Sequence, residues 1–341
     1  MADKDFSDLG RVEAVRALYE GTPFKAFGQN SFEVQGREHV AYASAMMLEG
    51  IDFDLVYFPL KHLGYKSVVG VTGELYAQLA HPAALSVRLG VSAKLDFAHV
   101  RELWEGMVSA AKEHGYRQVD LDLVPSRNGL FISISAIGET ALLTAKRRPA
   151  PKSKDLLCIS GPLGAAYLGL RALERERARF DAGSADHAER EKALSQYKML
   201  VAAYLKPELE AGTVAQLESS EIIPSAGCFV TRGLADAVKR LVRDTGLGAK
   251  VYADRIPFEG NSFQLGQDLG IDPVSAAMNG GDDYRLLFTV PILSMEKFRR
   301  DFQTFDIIGH LAQPEAGCVL VTPDGVELPL RAPGWPDEDA L

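Results

Sequence analysis

Residues 97–137, FAHVRELWEGMVSAAKEHGYRQVDLDLVPSRNGLFISISAI, carry the pattern that decides the fold of the first half of the chain. Apolar side chains recur at helical spacing over 97–114, and Gly115 stands where a helix C-cap is expected. Two alternating apolar segments follow, at 118–124 and 130–137, and a turn rich in Pro, Asn and Gly separates them. The stretch therefore predicts one amphipathic helix followed by two strands.

The sequence before this stretch predicts a similar alternation. A strand is expected at 39–44, a mostly apolar helix at 62–80, and a half-buried strand at 85–91. With the elements of 97–137, the order after an opening helix is strand, helix, strand, helix, strand, strand. This order is typical of an α+β layer built on a mixed sheet.

The composition changes at 148–155, where the chain reads RPAPKSKD, and we place a domain boundary there. We therefore expect two domains, residues 1–150 and residues 151–341, in agreement with a length of 341 residues. In the second domain, strands and helices alternate again, which predicts an α/β arrangement. Its charged segment 174–177 is expected to be a solvated helical face.

The overall charge argues against a general nucleic-acid-binding protein. The 37 Lys and Arg residues against 46 Asp and Glu residues give a net charge of −9. Nucleic-acid affinity depends on clustered cations that neutralise phosphates. The densest basic run, Lys146-Arg147-Arg148, is short and leads into the predicted linker.

Membrane and secretory classes are not indicated either. No window approaches the roughly 18 apolar residues needed to span a bilayer. The first residues, MADKDF, are acidic and predict no secretory leader. The three distant cysteines predict a reducing, cytoplasmic setting, and we expect Cys158, Cys228 and Cys318 to be buried as small hydrophobic residues.

Two glycine-rich segments are candidate binding elements. The turn Gly161-Pro162-Leu163-Gly164 follows a predicted strand and precedes a helix, whose free N–H groups could bind a phosphate. It is neither a Rossmann fingerprint nor a P-loop, and a plain tight turn is the alternative. The second segment, Asn279-Gly280-Gly281-Asp282-Asp283-Tyr284, could coordinate Mg²⁺ or accept hydrogen bonds from a ligand. Its alternative is a turn whose Asp side chains bind backbone amides.

Several segments together resemble thiamine-monophosphate kinase and the wider AIR-synthase-related superfamily over nearly the whole chain. Gly280–Tyr284 with the following strand is similar to the family's Gly-Gly-Glu-Asp-Tyr-Glu-Leu-x-Phe-Thr. Glu49-Gly50-Ile51-Asp52-Phe53 is similar to its Glu-Gly-x-His-Phe. Ser160-Gly161 through Gly169 is similar to its Thr-Gly-x-x-Gly turn, and Leu205-Lys206-Pro207 to its Leu-Arg-Pro.

The resemblance implies a fold and a reaction. The fold has two domains, in which the N-terminal strands of two subunits form a barrel at a homodimer interface. The reaction is Mg²⁺-assisted transfer of the γ-phosphoryl group of ATP to thiamine phosphate. Such chemistry needs several carboxylates to hold the metal ions.

Most of the family's metal-binding aspartates are replaced in this sequence. Gly-Asp-Asp becomes Gly28-Gln29-Asn30, and Thr-Asp-Thr becomes Ser44-Ala45-Met46. Gly-Gly-Asp-Thr-Thr becomes 122–126, with Val124 at the aspartate position unless the alignment slips onto Asp122. The motif Asp-x-Ser-Asp-Gly-Leu becomes 229–234, with Phe229 and Arg232 at the two aspartate positions. The remaining candidate metal ligands are Glu74 and Asp122.

These replacements predict a kinase-like protein whose metal-dependent phosphotransfer is weak or lost. Neutral or apolar side chains hold Mg²⁺ poorly or not at all, whereas Arg232 could bind a phosphate directly. We expect a small phosphorylated ligand or a protein partner at a surface made of Gly161, Gly164, Arg232, Gly280, Gly281, Asp282 and Asp283. The alternative is an active ATP-dependent kinase that uses a relocated acidic cluster of Glu74, Asp120, Asp122, Asp282 and Asp283.

Overall fold

The computed structural model describes residues 17–23, 39–140, 144, 147–183, 187–243 and 245–335. The chain forms two compact units. The first takes in the described part of 1–145 together with Glu210–Val214, and the second takes in the rest. Gly28, Gln29 and Asn30 lie outside the described residues.

The first unit is a four-stranded mixed sheet with a helix pair. Its elements, in chain order, are β1 (His39–Leu48), α1 (Leu60–Ala77), β2 (His81–Ser92), α2 (Phe97–Glu113), β3 (Gln118–Ser126) and β4 (Phe131–Thr140). The strand order is β1-β4-β2-β3, in which β2 and β3 are parallel and the other pairs antiparallel. The predicted mixed sheet and its element order are confirmed.

The two helices of this unit cross at a very close contact. A Cβ atom on Gly64 of α1 would lie 2.0 Å from the carbonyl oxygen of Leu103, and one on Gly106 of α2 would lie 1.9 Å from that of Lys61. Only glycine allows this approach of two backbones. This contact holds α1 against α2. The helix α1 is buried over most of its length, as its mostly apolar sequence predicted.

One face of the sheet is buried, and the other is partly apolar yet exposed. Along β1, buried Ala41 and Ala43 alternate with exposed Tyr42, as a half-buried strand requires. Tyr42 and Met46 on the outward side are 61% and 59% exposed, and Val40 points the same way. Because β1 is an edge strand among the described strands, these three residues form an apolar row along that edge.

The rest of the chain is built around a seven-stranded sheet of order β11-β10-β7-β9-β5-β8-β6. Its strands are β5 (Leu156–Ile159), β6 (Ala226–Val230), β7 (Gly248–Tyr252), β8 (Arg285–Val290), β9 (Asp306–Ala312), β10 (Cys318–Val321) and β11 (Glu327–Pro329). The helices are α3 (Ala165–Asp181), α4 (His187–Gln196), α5 (Lys198–Leu205), α6 (Thr213–Ser219), α7 (Leu234–Val242), α8 (Ser262–Leu269), α9 (Pro273–Asn279) and α10 (Met295–Asp301). The predicted alternation of helices and strands in this half is confirmed.

A continuous apolar core lies under one face of this larger sheet. It joins Leu157 and Ile159 of β5 to Leu234 and Val238 of α7 and to Val251 of β7. The three cysteines are buried and free, as predicted. No helix among the described residues is long and apolar enough to cross a bilayer.

One prediction about surface charge is wrong. Glu176, which the charge pattern assigns to a solvated face, is only 1% exposed. Its carboxylate accepts hydrogen bonds from Arg175 at 2.9 Å and Arg179 at 3.1 Å. A run of alternating charges is compatible with a solvated helix and also with a helix that buries an acid between two arginines. The two cases cannot be told apart from sequence, because the oppositely charged residues lie on the same helix in both.

Candidate functional site

Three segments that are distant in sequence meet in the second unit. They are the turn 160–164 before α3, residues 231–233 before α7, and the loop 280–284 between α9 and β8. The carboxylate of Asp283 joins the first to the third, because Oδ2 accepts a hydrogen bond from the backbone N–H of Gly164 at 2.8 Å. Oδ1 accepts a second one from Ala166 at 3.3 Å. Asp283 therefore caps the N-terminus of α3 from 119 residues away.

The loop 280–284 is held to the second segment by its backbone. The N–H of Asp282 donates to the carbonyl of Thr231 at 2.9 Å, and that of Tyr284 donates to the carbonyl of Val230 at 2.9 Å. Asp282 and Tyr284 adopt positive φ angles of 62° and 53°. Such angles cost energy for residues other than glycine and persist only where surrounding contacts impose them, as these two hydrogen bonds do.

Burial dominates the electrostatics of Asp283. It raises the pKa of this carboxyl from its ordinary value of 3.8 to about 7, against the opposing effects of the two backbone hydrogen bonds and of nearby Arg285. The two backbone hydrogen bonds thus favour the ionised carboxylate of Asp283, whereas its burial away from solvent disfavours it. The carboxyl can exchange a proton near neutral pH.

Arg285 is a part of this region that the sequence analysis missed. It is the first residue of β8 and donates hydrogen bonds to the carbonyl oxygens of Pro162 at 3.4 Å and Glu208 at 3.3 Å. Its guanidinium carbon lies 3.2 Å from where a Cβ on Gly161 would be, so the arginine covers the turn. Burial lowers its pKa from the ordinary value, and Asp283 acts in the opposite direction. A signal was available, since the quoted family motif carries Glu at this position.

Arg232 lies beside the loop and faces solvent. The Cα atom of Arg232 is 3.5 Å from where a Cβ on Gly281 would lie, which places the two segments in direct contact. Gly233, with a φ of 94°, fits tightly against α9, because its Cβ would lie 2.4 Å from the carbonyl oxygen of Met278. The guanidinium of Arg232 is exposed and makes no hydrogen bond or ion pair with the residues that the structure describes.

This geometry changes the roles expected of the two glycine-rich segments. The N–H groups of Gly164 and Ala166, which were candidates for binding a phosphate, are satisfied by the chain's own Asp283. Gly161 is covered by Arg285. What remains open to a ligand is Arg232 together with the half-buried Gly280 and Asp282. Among the described residues of these three segments, Arg232 is the one cation, and it makes no hydrogen bond or ion pair.

Two of the acids considered as metal ligands in the first unit, Asp120 and Asp122, are engaged by neighbouring groups. Glu74 is half-buried on α1. Asp122 on β3 accepts a hydrogen bond from the backbone N–H of Leu123 at 2.9 Å, and Asp120 forms an ion pair of 2.6 Å with Arg88. Among the described residues, no group of three His, Cys, Asp or Glu side chains could hold a metal ion. Within each unit taken by itself, the described acids of the alternative hypothesis do not form such a group.

Comparison with known proteins agrees with this architecture. Residues 28–140 match the family model described as AIR synthase related protein, N-terminal domain. The first unit therefore carries a domain of the AIR-synthase-related type. The chain is 20% identical over 290 residues to thiamine-monophosphate kinase of Aquifex aeolicus, and the match covers 84% of this chain and 87% of that protein.

Solved structures of proteins with low sequence identity share the fold. Thiamine-monophosphate kinase from Stenotrophomonas maltophilia K279a has a TM-score of 0.72 at 21% identity and covers 94% of this chain and 96% of its own. The hydrogenase maturation protein HypE in complex with ATP has a TM-score of 0.65 at 19% identity, covering 96% and 92%. Both likenesses concern the fold, and one fold can carry several activities.

Proposed function

We propose that this protein is a cytoplasmic thiamine-monophosphate-kinase-like protein whose magnesium-dependent phosphotransfer is weak or lost and which still binds a small phosphorylated ligand or a protein partner. The observation that carries the proposal is the environment of Phe229 and Arg232. Phe229 is fully buried and packs edge-on against Tyr284, with ring centroids 5.5 Å apart. Arg232 presents a cation nearby. Neither side chain can coordinate a cation, and both stand where the resembled family has aspartates.

The described residues do not fit a magnesium site. Mg²⁺ demands near-octahedral oxygen coordination, and kinases of this kind hold it with carboxylates. Val124 is exposed but has no side-chain oxygen, and Asp120 is neutralised by Arg88. Loss of one well-placed electrostatic contact commonly costs ~10²–10³ in rate, so several losses should bring phosphotransfer near background.

Calorimetric titration with ATP tests the proposal directly. The purified full chain is titrated with ATP with and without Mg²⁺, and ADP production is then measured in the presence of thiamine phosphate. We expect ATP binding that is absent or indifferent to Mg²⁺, with no ADP above the rate without protein. ATP serves as a cofactor of this chain only if the family activity survives, although a solved relative of the same fold holds ATP.

The second candidate function is an active kinase that converts thiamine phosphate to thiamine diphosphate. The observation in its favour is the similarity along 84% of the chain to a protein named thiamine-monophosphate kinase. Magnesium-dependent ATP binding together with ADP production on addition of thiamine phosphate would establish this function and overturn the first. The same experiment therefore decides between the two.

Arg232 is the residue on which ligand affinity should depend. We expect Arg232→Ala to reduce the affinity for thiamine phosphate by at least about tenfold, because a charge-assisted hydrogen bond contributes roughly 1.5–3 kcal/mol. Arg300→Ala removes another exposed arginine of the second unit and is the matched control. Binding is measured by calorimetry. Equal affinities for Arg232→Ala and the unaltered protein would remove Arg232 from the site.

The apolar row Val40, Tyr42 and Met46 supports the further proposal of a homodimer. An exposed apolar edge strand is a surface that proteins normally cover. The double variant Tyr42→Lys with Met46→Lys is expected to weaken self-association at least about tenfold, since it would place charges in the interface. Leu293→Lys changes an apolar residue that is 99% exposed in the second unit and is the control. Sedimentation equilibrium that shows the same dimer for both variants would contradict the proposal.

A further inference from the structure

A group of basic side chains lies in the second unit on residues outside the segments 160–164, 231–233 and 280–284. Lys250 of β7 and His310 of β9 are directly opposite each other in the antiparallel pair. Both side chains are half-buried, whereas Val251, the next residue of β7, is fully buried in the core. Lys250 and His310 therefore stand on the side of the sheet away from that core.

The ring of Tyr252 positions His310 and Arg255 by stacking contacts. The ring of Tyr252 stacks on the imidazole of His310 with centroids 5.8 Å apart and planes 30° apart. The guanidinium of Arg255 lies over the Tyr252 ring at 5.0 Å from its centroid. The Tyr252 hydroxyl lies 3.5 Å from Nδ1 of His310, which leaves Nε2 as the ring nitrogen available to a ligand. The Tyr252 ring thus holds Arg255 and His310 together by stacking, and Lys250 lies opposite His310 in the strand pair.

The charges around His310 are unbalanced. Burial, Lys250 and Arg255 all lower the pKa of His310 from its ordinary value of 6.5, and no carboxylate in the described part of the chain acts in the opposite direction. Within the described residues, Arg255 has no carboxylate partner, and Lys250 has one, Glu327 of β11. An imidazole flanked by two cations in a chain of net charge −9 is unusual, because cations repel one another unless an anion lies between them.

We propose that Lys250, Arg255 and His310 bind a phosphate group, either as inorganic phosphate or as the monoester of a small metabolite. Phosphate suits this group because its oxygens accept from a lysine, a guanidinium and an imidazole N–H at once. Glu327 is the internal competitor, since it occupies Lys250 when the phosphate is absent. The site shares no residue with the surface proposed to bind the thiamine-phosphate-like ligand, so either can fail without the other.

The test follows the proton equilibrium of His310 itself. Imidazole resonances of the full chain are recorded by NMR during pH titrations, and His310 is assigned from its loss in His310→Gln. Inorganic phosphate is added at constant ionic strength, with chloride as the balancing anion. We expect phosphate to raise the pKa of His310 saturably, with a dissociation constant on the order of 1 mM. A pKa of His310 that is the same in phosphate and in chloride would overturn the proposal.

Two opposite variants sharpen the result. Lys250→Gln is expected to weaken the phosphate effect about tenfold, whereas Glu327→Gln is expected to strengthen it several-fold by freeing Lys250. Glu327 is exposed on an edge strand, so its variant keeps the test decisive even if Lys250→Gln folds poorly. Lys61→Gln, which removes an exposed cation beside Glu105 in the first unit, is the matched control and should have no effect.

The source of the phosphate is decided by a second titration. Glycerol phosphate replaces inorganic phosphate under the same conditions. Tighter binding of the ester identifies a phosphorylated metabolite as the ligand class, and tighter binding of the inorganic ion identifies free phosphate. Absence of a His310 response to both compounds, or an unchanged response in Glu327→Gln and Lys250→Gln alike, would refute the site.

Discussion

Replacing Asp283 with alanine is expected to lower the free energy of unfolding by about 3 kcal/mol at pH 7. The substitution leaves the N–H groups of Gly164 and Ala166 without their acceptor in a buried setting. An unsatisfied buried donor costs roughly 1–3 kcal/mol, and two are created here. Urea unfolding, followed by circular dichroism, measures the loss.

The neighbouring residue supplies the control for this prediction. Asp282→Asn alters a half-buried carboxylate in the same loop, and asparagine tolerates the positive φ of 62° at that position. We expect this variant to stay within about 0.5 kcal/mol of the unaltered protein. If the two variants were equally unstable, the capping of α3 by Asp283 would not be what stabilises this region.

The pH dependence of stability gives an independent view of the same carboxyl. Since the pKa of Asp283 is raised from 3.8 to about 7, the folded chain retains a proton that the unfolded chain has released. The contribution of Asp283 to the free energy of unfolding is fully present below the pKa that this carboxyl has in the unfolded chain. It is lost as the pH rises through 7. In the unaltered protein, the free energy of unfolding should fall between pH 4 and 7 by at most about 1.4 kcal/mol per pH unit. Because the side chain of Asp283→Asn cannot titrate, this fall should be missing when the variant is unfolded at the same pH values.

Periodicity predicted the elements whose apolar pattern is long and regular. The helix at 97–114 and the strands at 118–124 and 130–137 correspond to α2, β3 and β4. In each of them a single face is buried, and the alternation of buried and half-exposed residues along β3 shows this directly. The spacing of apolar residues predicts an element by itself only when that element buries a single face.

Short elements were missed for a physical reason. β10 has four residues, CVLV, and α6 has seven, TVAQLES, so neither repeats its pattern often enough to be recognised. The helices α4 and α5 are separated at Tyr197. The hydroxyl of Tyr197 donates to Asp268, which lies 71 residues further along the chain, and no local pattern contains that partner.

In the candidate site, too, local patterns predicted the segments but not their long-range contacts. The glycine and aspartate patterns singled out 161–164 and 280–283, and the structure brings these segments together. The sequence alone left open whether the acids of the second segment hold a ligand or backbone amides. Asp283 turns to the amides of another segment, a choice that only long-range packing determines. Arg285 was missed because a lone arginine at the start of a strand has no distinguishing local pattern, and only the glutamate of the resembled motif marks its position.

Gly233→Ala should be the most disruptive single-methyl change at this site, lowering the free energy of unfolding by about 4 kcal/mol. The added Cβ would lie 2.4 Å from the carbonyl oxygen of Met278, and the φ of 94° strains any residue with a side chain. A flexible side chain could rotate away, but the atom in contact belongs to the backbone of α9. Either α7 or α9 must therefore shift.

Strain and steric overlap can be separated by a second glycine. Gly270 also has a positive φ, 66°, but a Cβ there would meet nothing within 4 Å. Gly270→Ala should therefore cost only about 1 kcal/mol, the penalty of the backbone angle itself. Because Gly233 fixes the position of Arg232 beside Gly281, Gly233→Ala should also reduce thiamine phosphate binding in the protein that remains folded, while Gly270→Ala should not. Equal losses of stability in the two variants would mean that the close contact with α9 does not hold this region together.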